Sequence, residues 1–120
     1  MKARHNRGYL PDVAWYRQER CAPPGQPPHL EGPPDLAVEV LSPSNRLLDM
    51  IVKRADYAKI GVKELWLVDP DGPWAMVLRL PDPVGTPAEF VIAEEVGADG
   101  KLTSPLLPGL GIAMADLVAR

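Results

Sequence analysis

Cysteine is nearly missing from this 120-residue chain, where Cys21 stands alone. A lone thiol closes no disulfide within the chain and builds no multi-cysteine zinc site. Histidine is almost as scarce. His5 and His29 sit in polar or proline-rich sequence, neither has a companion at ligand spacing, and both read as solvent residues. Aromatics amount to 6% of the chain. No apolar run is long enough to span a membrane, and the N-terminus lacks the apolar core of a signal peptide. A soluble, cytoplasmic protein without membrane partners is therefore the expectation. A global basic character is missing too, since the formal net charge is -3. Contact with nucleic acid would have to rest on local patches. Gly109 and Gly111 match no phosphate loop, because neither spacing nor lysine fits.

Proline is what the chain has in excess, with 15 residues. Six of them, with Gly25 and Gly32, crowd Cys21 to Pro34. Proline fixes φ and removes a backbone donor, so this stretch is a loop. The rest is ordinary globular sequence, 46% hydrophobic and 24% charged. Its length suits one small domain, residues 1–120, with a single core. Positive charge gathers in residues 1–20 and 43–63, and the acidic balance lies mostly after residue 63.

The apolar pattern predicts a mixed α/β sheet. Asp12 to Tyr16 is a short apolar and aromatic strand. Asp35 to Leu41 is nearly continuous apolar sequence rich in valine, the signature of a strand buried on both faces. A helix then begins near Ser42 or Ser44, with Pro43 at a first-turn position, and runs to about Ile60. Leu47, Leu48, Ile51, Ala55 and Ala58 would form its apolar stripe, with Arg46, Asp49, Lys53 and Asp56 on a polar face. Gly61 is a natural stop. Glu64 to Val68 is the next strand, closed by the turn signal Asp69-Pro70-Asp71-Gly72. The strand–helix–strand unit implies a parallel pair joined by a right-handed crossover. Trp74 to Leu80 and Glu89 to Val96 follow as an antiparallel hairpin. Leu106 to Leu110 reads as irregular and Met114 to Val118 as a short helix.

Three charged residues fit this pattern poorly as mere decoration. Glu39 shares a strand face with Asp35, Ala37 and Leu41. A carboxylate in the middle of a buried strand is costly to desolvate. It survives by pairing with a cation, by binding metal, or by facing an opening. Two readings stay open: a buried salt bridge to Arg46 or Lys53, or a working acid. Asp12 opens a hydrophobic strand directly after Pro11, either as an ordinary strand-entry residue or as a second oxygen ligand for a hard divalent cation. Lys53 follows Asp49 by four residues. It is either half of a helix-surface pair or an ammonium turned toward Glu39, able to orient a water or offset charge on a phosphate.

Taken together, the segments resemble a known family. Leu10-Pro11-Asp12-Val13-Ala14 and Gly32-Pro33-Pro34-Asp35-Leu36-Ala37-Val38-Glu39-Val40-Leu41-Ser42-Pro43-Ser44 carry the resemblance. So do Asp49-xxx-Lys53-xxx-Tyr57, Gly61-Val62-Lys63-Glu64-Leu65-Trp66-Leu67-Val68-Asp69-Pro70 and Ser104-Pro105-Leu106-Leu107-Pro108-Gly109-Leu110. The chain resembles the Uma-two family of endonuclease-like proteins, within the PD-(D/E)XK nuclease superfamily. The resemblance implies a restriction-endonuclease-like core and metal-dependent hydrolysis of phosphodiester bonds. Asp12 and Glu39 would hold Mg²⁺ or Mn²⁺, and Lys53 would complete the catalytic set. Arg46 and Arg54 would follow a nucleic-acid backbone, with DNA the expected substrate. The superfamily pattern sets its lysine two residues after the second acid, where this chain has Leu41, so the resemblance implies a lysine supplied by the following helix. Asp49, Tyr57 and Ser42 are further pattern positions, for which structural roles stay open. Family members usually carry an additional N-terminal helix and hairpin before the aspartate strand. Without them one sheet edge would be bare, which favours a homo-oligomer, a dimer in the simplest case. A catalytically inactive nuclease-fold module, binding a partner or itself, is the alternative. A protein using the same carboxylates on a small non-nucleic substrate is a third option.

Overall fold

The computed structural model describes residues 11–17, 32–41, 49–109 and 111–118. Strand β1, Val13–Trp15, enters the sheet, and β2, Leu36–Val40, follows it. A wide π-helical turn, Asp49–Lys53, runs directly into helix α1, Arg54–Ile60. Strands β3, Glu64–Asp69, β4, Trp74–Arg79, and β5, Val91–Val96, complete a five-stranded sheet in the order β1-β2-β3-β4-β5. The pair β2/β3 is parallel, and the other pairs are antiparallel. A parallel pair cannot be closed by a tight turn, which is why the long connection through α1 lies between its two strands. Two elements that the sequence pattern does not predict, β6 (Lys101–Thr103) and β7 (Gly111–Ala113), pair as a separate ribbon. The final helix is α2, Met114–Val118.

Side chains alternate across the sheet, and each face buries its own apolar set. On one face Ala37, Leu65, Leu67, Met76 and Leu78 pack with Tyr57, Ala58 and Val62 from α1 and the turn after it. On the other, Leu36, Val38, Trp66, Val68, Ala75 and Val77 pack with Leu102 of β6 and Met114 of α2. Burial of a large apolar side chain stabilises by roughly 1.5–3 kcal/mol, so both coverings are needed. All six residues of β3 are buried, as expected for the central strand of a sheet covered on both sides. The strand at 35–41 is buried as its sequence predicts, apart from Val40 near its end.

Helix α1 stops where the sequence places its end. Gly61 takes φ 92°, a left-handed conformation that costs a residue with a Cβ about 1–2 kcal/mol. Its N–H donates to the Ala58 carbonyl at 3.2 Å, and Val62 N–H donates to Tyr57 at 3.1 Å. The orientation of α1 departs from the expected stripe. Ala58 is buried as expected, but Ile51 is 62% exposed, and Asp56 and Tyr57 are the helix's other buried residues. Ala55 is exposed as well. The π turn explains the difference, because its wider winding breaks the 3.6-residue phase between Ile51 and the helix that follows. Leu47 and Leu48, and the expected helix caps Ser42 and Ser44, lie outside the described residues.

Candidate active site around Glu39

Glu39 lies near the C-terminal end of β2, on the sheet face that α1 covers. It is 2% exposed. Two side chains from the π turn and α1 reach it. The Tyr57 hydroxyl donates to Glu39 Oε2 at 2.5 Å, and Lys53 Nζ donates to Oε1 at 3.1 Å. Lys53 and Tyr57 are four residues apart, so they share a helix face and arrive together. That spacing is visible in the sequence, and it is the signal that could have assigned Tyr57 its contact.

Asp12 arrives from the opposite strand. The β1/β2 register pairs Val13 with Val38, Ala14 with Ala37 and Trp15 with Leu36. Extended by one residue, it sets Asp12 opposite Glu39, and directly opposed residues in an antiparallel pair share a face. Asp12 Oδ2 accepts the Val40 N–H at 2.6 Å. That bond anchors one oxygen of an exposed carboxylate at the sheet edge.

Electrostatics follow from this placement. Burial raises the Glu39 carboxyl above its ordinary 4.5. The hydrogen bonds from Tyr57 and Lys53 and the Lys53 charge pull it down, and the Asp12 charge pushes it up again. Desolvation wins, so this acid is harder to ionise than one in water.

A second buried carboxylate is a useful contrast. Glu64, 1% exposed, lies on the other sheet face. Its Oε2 accepts Trp66 Nε1–H at 2.6 Å, and Arg79 Nε donates to its Oε1 at 2.7 Å. Arg79 is its cross-strand partner and also reaches the Thr103 carbonyl at 3.5 Å. This pair ties the sheet to β6, and its environment is that of a structural ion pair.

The structure thus joins Lys53 and Tyr57 to Glu39, and the strand register sets Asp12 opposite Glu39 on β1. Arg54, consecutive to Lys53, turns to another side of α1. There its guanidinium donates to the Phe90 carbonyl at 3.4 Å. It lines a groove of about 440 Å³ with Ile51, Lys59 and Phe90 among its walls. A neighbouring groove shares Ala58, Lys59 and Ala88 and adds Arg17 and Lys63. Neither groove is lined by Glu39. Arg46 lies outside the described residues.

The donor set can be weighed against a divalent cation. Among the described residues there is no group of three or more His, Cys, Asp or Glu side chains arranged to hold a metal. Two hard carboxylates on adjacent strands suit Mg²⁺ or Mn²⁺ all the same. Mg²⁺ is commonly held by one or two carboxylates, with waters and substrate phosphate filling the remaining positions. The residues fit such an ion and do not fit a fully protein-enclosed one.

Residues 1–115 match the Uma2 family, described as "putative restriction endonuclease". The chain belongs to the Uma2 family. A solved structure described as a "putative nuclease belonging to DUF820" from Anabaena variabilis ATCC 29413 shares its fold, with a TM-score of 0.65 at 22% identity. The likeness covers 92% of this chain and 60% of that one, so this Uma2 chain spans about 60% of the length of that neighbour. No match is found among curated proteins. Among the described residues no helix is long and apolar enough to cross a membrane.

Proposed function

We propose that the chain is a metal-dependent endonuclease of the PD-(D/E)XK type, acting on nucleic acid through Asp12, Glu39 and Lys53. The observation that carries this reading is the buried Glu39 carboxylate paired with the Lys53 ammonium, with the Asp12 carboxylate set opposite it by the β1/β2 register. Membership of the Uma2 family supports it. Asp12 and Glu39 would hold Mg²⁺ or Mn²⁺. Such an ion, when bound, acidifies a coordinated water and offsets charge on the phosphate in the transition state. Lys53, on the helix side of Glu39, would orient the attacking water and neutralise the developing charge. Arg54 and Lys59, along the groove on the flank of α1, supply the phosphate contacts expected of a protein whose net charge is negative. DNA is the proposed substrate.

The test is conversion of supercoiled plasmid with Mg²⁺ or Mn²⁺. The wild type nicks or linearises it, a chelator stops the reaction, and Asp12→Asn lowers the rate at least about 100-fold, the order of loss for a group stabilising transition-state charge. Failure of the wild type to cut DNA or RNA with either ion would falsify the nuclease reading. The closed Lys53–Glu39 pair at 3.1 Å favours one alternative, a nuclease-fold module that binds nucleic acid without cutting it. Retention of an oligonucleotide with no cleavage is its signature.

Self-association is part of the same reading. Val13 is 54% and Val40 43% exposed, and as diagonal neighbours on one face beside the β1 edge they form an apolar patch. A second copy pairing with β1, the outermost strand of the sheet among the described residues, would cover both that edge and the patch. Sedimentation showing only monomer at high micromolar concentration removes this element.

A further inference from the structure

We propose that the two oxygens of Glu39 have separate duties: Tyr57 holds Oε2 permanently, while Lys53 occupies Oε1 as an exchangeable counter-ion that a divalent cation displaces. The proposal rests on the metal reading above, and its readout is ion binding, which needs no cleavage.

The two contacts differ in kind. Tyr57 is 0% exposed and belongs to the packed cluster between α1 and the sheet. Its ring has few torsions to rearrange, and withdrawing the hydroxyl from Oε2 would mean moving a core side chain in a close-packed interior. Its donor is also neutral, so it fixes the carboxylate without repelling an incoming cation. Lys53 has the opposite properties. Its side chain is 24% exposed. A flexible four-carbon stem lets the ammonium swing toward water while the methylenes stay against the protein.

Charge then dictates the exchange. Asp12 and Glu39 together bring two negative charges, and Lys53 returns one positive. A divalent ion at Oε1 meets the ammonium at the same oxygen, and like charges at that distance in a half-buried setting repel strongly. The ammonium would then retreat toward water along its flexible stem. Lys53 therefore weakens ion binding while serving the reaction, and Tyr57 strengthens ion binding by fixing which oxygen is presented.

Calorimetric titration of Mn²⁺ into the full chain tests this, with melting temperature as the folding control. Lys53→Met should bind Mn²⁺ several-fold more tightly than wild type, while plasmid cleavage falls. Lys53→Arg, which keeps the charge, should bind no more tightly than wild type. Tyr57→Phe should bind about tenfold more weakly, the usual scale for loss of a group that orients a metal ligand. Unchanged or weaker Mn²⁺ affinity in Lys53→Met overturns the exchange. Unchanged affinity in Tyr57→Phe overturns the anchoring role. Absence of Mn²⁺ binding in every variant up to millimolar concentration overturns both. Cleavage without these affinity shifts defeats this proposal alone, and the shifts without cleavage defeat only the nuclease reading.

Discussion

Glu39→Gln is expected to lower metal-dependent cleavage at least about 1,000-fold and, at neutral pH, to melt at a higher temperature than wild type. The first effect follows from replacing a carboxylate by a neutral amide at the centre of the proposed ion site, the scale being that of removing a principal electrostatic stabiliser. The second follows from burial. The folded state raises the Glu39 acid above 4.5, so between that value and the raised one the native protein holds the proton more often than the unfolded chain does. Stability contributed by this group is complete below 4.5 and is lost as pH rises through the folded value. The amide of the variant does not titrate and carries no such slope. Thermal melts of the two proteins should lie closest near pH 4.5 and diverge as pH rises, with the variant ahead. Lys53, partly exposed, can rehydrate when its partner becomes an amide. Full cleavage by Glu39→Gln would remove this residue from chemistry. A variant that melts lower at pH 7 would show the Lys53 and Tyr57 bonds outweighing desolvation.

Val38→Asp should abolish folding. Val38 is 8% exposed and packs on the face opposite Glu39 with Leu36, Trp66 and Val68. The substitution removes roughly 1.5–3 kcal/mol of apolar burial. It also places an unpaired carboxylate in an apolar cluster, at a cost of roughly 3–5 kcal/mol. The sum is comparable with the whole stability of a small domain, about 5–15 kcal/mol. Loss of near-ultraviolet dichroism and of a cooperative melt is the expected result. A soluble Val38→Asp protein that melts cooperatively would show that β2 is not a central strand. One residue further on, Glu39 is tolerated because Tyr57 and Lys53 meet it.

The difference between these neighbours marks where sequence reasoning reaches and where it stops. The apolar run at 36–40, the parallel crossover to β3, the stop at Gly61 and the β4/β5 hairpin are all legible, because each is written in a local pattern of burial or backbone freedom. Asp12, Glu39 and Lys53 are legible as oddities and through the family resemblance. The orientation of α1 is not, because a π turn shifts the helical phase by an amount that no residue spacing announces. Strands β6 and β7, three residues each, are too short to show a period. Glu64 looks like a strand boundary until register sets Arg79 opposite it.

By itself, then, the sequence determined the five strands of the main sheet, where the helix ends and that Glu39 stands in apolar surroundings. Only the tertiary structure decided that Asp12 is held by the Val40 amide, that Tyr57 and Lys53 divide the Glu39 carboxylate, and that Arg54 faces a different groove. The reason is physical. Burial periodicity is a property of neighbouring residues, whereas the partner of a buried charge is chosen by strand register and helix rotation, which the packing of the whole chain sets.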